Sequence, residues 1–176
     1  MKRGEQIQYG FKRISPANLL KQDSHPSHPS RLRGDKWVRA CLKPQLESCV
    51  PEEVAFLFEV ARGSMVYGMF FVPLASLARE QCYRVLEAGA RSRCIQLGLF
   101  EKERSKDKRL EKIFFKELIE ALKKAGKISK TDSETWNSML FLRNRFSHAT
   151  SQTILSLDSA VEGVAYTSKL LNRLFK

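Results

Sequence analysis

The chain has 176 residues, of which 43% are hydrophobic and 28% are charged, an ordinary composition for a globular protein with one core. No apolar run approaches the roughly 18 residues that a membrane span requires. The start MKRGEQIQYGFKR also lacks the apolar stretch of a signal peptide. We therefore expect a cytoplasmic protein that does not associate with membranes.

The net charge is +12, from 31 Lys and Arg residues against 19 Asp and Glu residues. Such an excess favours an anionic partner, with nucleic acid first and an acidic protein second. Residues 1–43 hold ten basic and three acidic residues, which gives this quarter of the chain a surplus of seven. A solvated basic surface without a dedicated ligand is the alternative.

Residues 1–50 are predicted to form an irregular basic arm, because the repeated Pro and Ser of SHPSHPSRLRG forbid a regular helix. His25 and His28 each precede a proline, and no acidic or Cys ligand accompanies them, so we expect no metal site. The spacings of the four cysteines fit neither a metal knuckle nor a disulfide framework, which predicts reduced thiols. No other cofactor is indicated.

Residues 51–176 are predicted to be helical. Pro51, followed by two glutamates, is typical of a helix start. The helix either kinks or starts afresh near Pro73, because a proline inside a helix removes a hydrogen bond. A second helix is predicted to end near Leu97, before Gly98, with Glu80, Arg84, Glu87 and Arg91 along its polar side.

After a charged connector at residues 101–109, a third helix is predicted, with its apolar stripe beginning at Leu110 and including Phe114, and its end at Gly126. The run from Thr131 to Glu134 has the pattern of a capping box and predicts the start of a fourth helix. A last helix follows from about Ser159. Since no segment alternates with period two, we predict an all-α fold, an antiparallel bundle of four to five helices.

The fourth helix contains the stretch FLRNRFSHA, which places charged groups among apolar ones. At 100° per residue, the apolar side chains from Trp136 to Phe146 occupy one arc, and Arg143 falls inside it. A guanidinium on a packing face requires compensation. A carboxylate such as Glu80 or Glu87 could pair with it, its stem could reach a cleft, or it could bind an anion such as phosphate.

Two further polar residues lie near Arg143. Asn144 is four residues before His148 and shares its helical face, so its amide could orient the imidazole. The long side chain of Arg143 could reach the same place. The three residues would then combine a group that titrates near neutral pH with a fixed positive charge, as RNA cleavage by the ribose hydroxyl requires.

The run RNRFSH, from Arg143 to His148, resembles the R-x4-6-H motif of HEPN domains. It lies late in a helical region and is followed by one further helix, as in that family, and the resemblance covers residues 51–176. It implies a metal-independent endoribonuclease whose active site forms between two motifs of a homodimer. Arg143 and His148 would be the catalytic pair, with Asn144 as the common polar neighbour.

The resemblance also implies RNA as the substrate, cleaved to a 2′,3′-cyclic phosphate. The biological role could be that of a toxin or of an antiviral-defence effector. The partner would then be an antitoxin or a defence complex. Some family members whose antitoxin partners modify them have a Tyr two residues after the His, and Thr150 stands there in this chain, so we do not expect that form of control. The residues expected to contact RNA phosphates are Arg145, the connector, and Arg31, Arg33, Lys36 and Arg39 of the arm.

Two other functions stay open: a non-catalytic HEPN-like module that binds RNA or protein, and a structural helical subunit whose basic face docks an acidic partner. Other enzyme classes lack their motifs, since the sequence contains no GxxxxGK[ST], HExxH or GxSxG.

Overall fold

The computed structural model describes residues 14–23, 32, 34–100, 113–147 and 157–176. Within these residues the protein is all-helical, which confirms the predicted class. Its six helices are α1 (Asp35–Leu42), α2 (Glu52–Tyr67), α3 (Pro73–Gln96), α4 (Phe115–Lys124), α5 (Lys130–Ser147) and α6 (Leu157–Leu174). None of the described helices combines the length and the apolar character that a membrane crossing requires.

Helix α3 is the element on which the others are arranged. It is 24 residues long and packs against α2, α4, α5 and α6. Its buried positions lie on more than one side of the helix, as expected for a helix with neighbours all round. They include Ala75, Ala78, Cys82, Tyr83, Val85, Leu86, Gly89, Ala90 and Cys94.

The predicted helix boundaries next to proline and glycine are confirmed. Pro73 is the first residue of α3, so the chain starts a new helix there and does not kink an old one. Gly98 and Gly126 follow the ends of α3 and α4 with φ of 65° and 69°. A side chain with a Cβ is strained in that left-handed conformation, which explains glycine at both stops.

The start of α5 differs from the predicted capping box. The hydroxyl oxygen of Ser129 accepts a hydrogen bond from the backbone N–H of Asp132 at 3.0 Å, and it also donates to the Asp132 carboxylate at 3.0 Å. The helix therefore begins at Lys130, and Thr131 lies within its first turn. Asp132 also forms an ion pair with Arg173 of α6, which fixes this first turn against the end of the chain.

The prediction that Phe114 belongs to the buried stripe of the third helix is wrong. Phe114 precedes α4 in an extended conformation and is 75% exposed, whereas Phe115 is buried against Trp136, with 6.3 Å between ring centroids. Because Phe114 lies before the first helical residue, it is not on the helical face that Phe115, Leu118 and Leu122 bury. Leu110 lies outside the described residues.

Part of the predicted irregular arm is helical. Helix α1 packs on α2 and α6, and its Trp37 side chain is fully buried with the indole N–H donating to the carbonyl of Val66 at 3.1 Å. Arg62 of α2 donates to the carbonyl of Leu42 at 2.7 Å, at the end of α1. Helix α1 therefore contributes Trp37 and Cys41 to the core, which the Pro and Ser content of the preceding segment does not indicate.

We expect Trp37→Ala to lower the free energy of unfolding by about 3–5 kcal/mol, because it removes a fully buried aromatic side chain and leaves a cavity. Lys36→Ala, at an exposed neighbouring position of α1, is the matched control and should change it by less than about 0.5 kcal/mol. Urea unfolding followed by circular dichroism measures both. Equal, small effects of the two substitutions would show that α1 is not part of the core.

The cysteines give a second prediction. Burial raises the pKa of the Cys41 thiol to about 12 and those of Cys82 and Cys94 to about 11, whereas Cys49 is exposed. Since the thiolate is the reactive species, a maleimide at neutral pH should label the folded protein quickly at Cys49 alone and the urea-unfolded protein at all four cysteines. Fast labelling of a Cys49→Ser protein would contradict this.

Candidate active site

The helix that carries the RNRFSH motif is held on α3 by aromatic contacts. Trp136 and Met139 of α5 are buried, and Phe146 stacks on Tyr83 of α3 with 5.9 Å between ring centroids and 19° between planes. Tyr83 is itself 2% exposed and accepts a hydrogen bond from Arg79 at 3.1 Å. Burial raises the pKa of Tyr83, so the hydroxyl remains neutral at physiological pH. These contacts hold α5 on α3 at positions before and after Arg143 in the sequence.

Arg143 points at α3. Its position inside the apolar arc of α5 predicted this direction. Its Nη2 atom lies 3.0 Å from Oε2 of Glu87. The other oxygen of Glu87 lies 3.2 Å from Nη2 of Arg91, which also donates to the carbonyl of Ile113 at 3.0 Å. One carboxylate therefore bridges two guanidinium groups and links α5, α3 and the segment before α4.

This cluster retains a positive charge and contact with solvent. Two arginines and one glutamate sum to a net charge of +1 on the three side chains. The Arg143 side chain is 38% exposed, while those of Glu87 and Arg91 are 22% and 19% exposed. A guanidinium that is held in position and is partly exposed can bind an anion through its exposed atoms.

Asn144 contributes to the position of Arg143. Its amide oxygen Oδ1 accepts a hydrogen bond from Nη1 of Arg143 at 3.2 Å. The sequence predicted that this amide orients the imidazole of His148, but His148 lies outside the described residues. In the described part of the chain, Asn144 orients the guanidinium.

Two clefts meet at the Arg143 and Glu87 pair. The larger has a volume of about 750 Å³ and lies between α3, α4 and α5, and the smaller, of about 330 Å³, lies between α3 and α5. Arg143 and Glu87 line both, so their ion pair forms the wall between them.

Of the two carboxylates considered as partners of Arg143, Glu87 forms the ion pair. Glu80 lies in the wall of the smaller cleft together with Tyr83 and Arg84. Partial burial raises the pKa of Glu80, and the nearby positive charge of Arg84 opposes this shift.

The other predicted site residues that the structure describes do not line the two clefts. Arg145 is exposed on α5, and Lys36 and Arg39 are exposed on α1, which packs on α2 and α6. Arg31, Arg33, the connector at 101–109 and the two histidines of the arm lie outside the described residues. Among the described residues, no three His, Cys, Asp or Glu side chains lie together as metal ligands would.

Sequence reasoning missed the roles of Tyr83 and Arg91 at this site. Arg91 could have been found, since it lies four residues after Glu87 on the same face of α3. Tyr83 gave no signal, because its partner Phe146 is 63 positions away in sequence.

Comparison with protein-family models, curated proteins and solved structures gives no match to this chain.

We expect Arg143 and Glu87 to be energetically coupled by about 1 kcal/mol, the upper end of the range for exposed ion pairs, because both side chains are partly covered and fixed. A double-mutant cycle with Arg143→Ala and Glu87→Ala, measured by urea unfolding, gives this value. The same cycle on Lys123 and Glu120, which lie 3.8 Å apart within α4, is the control and should give less. Zero coupling at Arg143 and Glu87 would mean that the pair does not hold α5 on α3.

Proposed function

We propose that the protein is a metal-independent endoribonuclease of the HEPN type that acts as a cytoplasmic homodimer. The observation that carries the proposal is Arg143, a half-exposed guanidinium held at the junction of two clefts by Glu87 and Asn144. It begins the R-N-x-x-x-H spacing that resembles the family's motif. The helices would form the antiparallel bundle of four to five helices that the resemblance implies, with α6 as the helix after the motif.

The reaction is cleavage of an RNA backbone by the neighbouring ribose hydroxyl. The 2′ oxygen attacks phosphorus, the bond from phosphorus to the 5′ oxygen breaks, and a 2′,3′-cyclic phosphate and a 5′ hydroxyl result. A base takes the 2′ proton, and an acid gives a proton to the leaving oxygen. One imidazole cannot hold both protonation states at once, so His148 of each protomer would take one role.

Arg143 has the electrostatic role in this proposal. Negative charge grows on the phosphate oxygens as the 2′ oxygen attacks, and a fixed guanidinium stabilises it without rearranging. Glu87 and Asn144 support this role because they hold Arg143 in position while 38% of its side chain stays exposed. Arg145 and the basic residues of the arm would add contacts to neighbouring phosphates.

The ion pair with Glu87 also favours a second candidate function. If Arg143 serves only to hold α5 on α3, the protein is a non-catalytic HEPN-like module that binds RNA or a protein. The +12 charge fits either, and it also fits a structural subunit that docks an acidic partner. A toxin or antiviral-defence effector restrained by an antitoxin is the biological setting that the catalytic proposal implies.

The catalytic proposal predicts that labelled single-stranded RNA is cut in EDTA. His148→Ala and Arg143→Ala should each reduce the rate by about 100-fold or more, because each removes a group that acts in the transition state. His28→Ala, which replaces a histidine outside the motif, is the matched control and should cleave at the rate of the unaltered protein. Gel analysis of the products, with and without acid to open a cyclic phosphate, follows both rate and chemistry.

Three results would contradict the catalytic proposal. Equal cleavage by the His148→Ala and unaltered proteins would remove the imidazole from the reaction, and loss of cleavage in EDTA would indicate a metal nuclease. Tight binding of RNA without turnover, with Arg143→Ala lowering stability and not affinity, would select the binding module.

A further inference from the structure

The larger of the two clefts has a feature that phosphate binding alone does not require. At about 750 Å³, it falls in the range of roughly 300–1,000 Å³ that is typical of small-molecule sites. Phosphate is small and needs only polar contacts, yet the lining of this cleft also includes the apolar residues Ile113, Phe114 and Leu140. Arg143, Asn144 and Lys116 line the same space.

Phe114 is the exposed aromatic residue in the lining of this cleft. Its side chain is 75% exposed, although a phenylalanine at a helix start usually packs inward. Its backbone is nonetheless fixed, because its N–H donates to the carboxylate of Glu117 at 2.8 Å and the next residue, Phe115, is buried. The backbone that carries the ring is therefore held in one place before any ligand arrives.

The charges around the cleft favour an anionic occupant, and its apolar lining favours one that also has a flat, apolar part. Both carboxylates in the lining already accept hydrogen bonds from the chain: Glu117 from Phe114, and Glu87 from two arginines. The guanidinium of Arg143 and the ammonium of Lys116 line the same space. A nucleotide has both parts, a phosphate for the cations and a base for the ring.

We propose that this cleft binds an unpaired RNA base next to the scissile phosphate, with the base stacked on Phe114. The assignment rests on the proposed function, because it places the phosphate of that nucleotide at Arg143. Aromatic rings stack on any base, and duplex RNA keeps its bases stacked on one another. The cleft thus selects single-stranded RNA with little preference for sequence.

The test measures binding apart from cleavage. The full-length protein is titrated with short fluorescent single-stranded RNA whose 2′ oxygens are methylated, so that the 2′ oxygen cannot attack. Phe114→Leu removes the aromatic face with a small change in volume, and Phe114→Tyr retains it. Phe141→Ala is the matched control, since Phe141 is 64% exposed on α5 and does not line the cleft.

Phe114→Leu should weaken binding by about tenfold or more, whereas Phe114→Tyr and Phe141→Ala should bind as the unaltered protein does. Removing single bases from the RNA should weaken binding at one position by a similar factor. In the Phe114→Leu protein that removal should have little further effect. Thermal unfolding of each variant checks that the fold is retained. If Phe114→Leu is unstable, the removal of single bases keeps the test decisive, because it is measured on the unaltered protein and equal binding of all these RNAs would overturn the base site.

The outcomes separate this inference from the proposed function. If RNA is cleaved but Phe114→Leu and Phe141→Ala bind alike, the base site is wrong and the nuclease proposal stands. If binding depends on Phe114 but no RNA is cleaved, the base site stands and the nuclease proposal fails. Absence of RNA binding, or Phe114-dependent binding of a protein in place of RNA, overturns the base site.

Discussion

The arrangement of the whole site depends on one carboxylate shared between two guanidinium groups. A packing face that contains Arg143 is unfavourable unless a negative charge meets it, because the guanidinium stays charged at any physiological pH. Glu87 supplies that charge and at the same time contacts Arg91, whose second contact is the carbonyl of Ile113. The cluster thereby fixes α5 relative to α3 and fixes the segment that leads into α4.

The same constraint produces the two clefts. Because Arg143 reaches across to α3, its side chain separates a larger space on the α4 side from a smaller one beside Tyr83 and Phe146. The aromatic stack of those two rings keeps the end of α5, and with it the backbone that carries Arg143, against α3. An arginine that was needed only for packing could be covered completely. Arg143 is partly exposed, and this exposure connects the fold to the proposed chemistry.

Local chemistry predicted much of the fold. Glycine after α3 and α4 and proline at the start of α3 act through backbone conformation alone, so the sequence was sufficient at these positions. At the start of α5 two overlapping capping patterns fit, one from Ser129 to Asp132 and one from Thr131 to Glu134. The pairing of Asp132 with Arg173, distant in sequence, accompanies the earlier of the two registers.

The candidate site was predictable in part. The direction of Arg143 followed from helical periodicity, but the choice of Glu87 over Glu80 depends on how far α5 is shifted along α3, which no local pattern encodes. The exposure of Phe114 and the burial of Trp37 depend in the same way on where a short helix begins. Contacts between residues far apart in sequence decide these features.

The most direct test of the central claim is a crystal structure of the protein bound to single-stranded RNA with methylated 2′ oxygens. We expect a twofold dimer in which one phosphate lies within hydrogen-bond distance of Arg143, with His148 of both protomers on opposite sides of that phosphate. A structure in which the RNA lies away from Arg143, or in which the two copies of His148 are far apart, would contradict it.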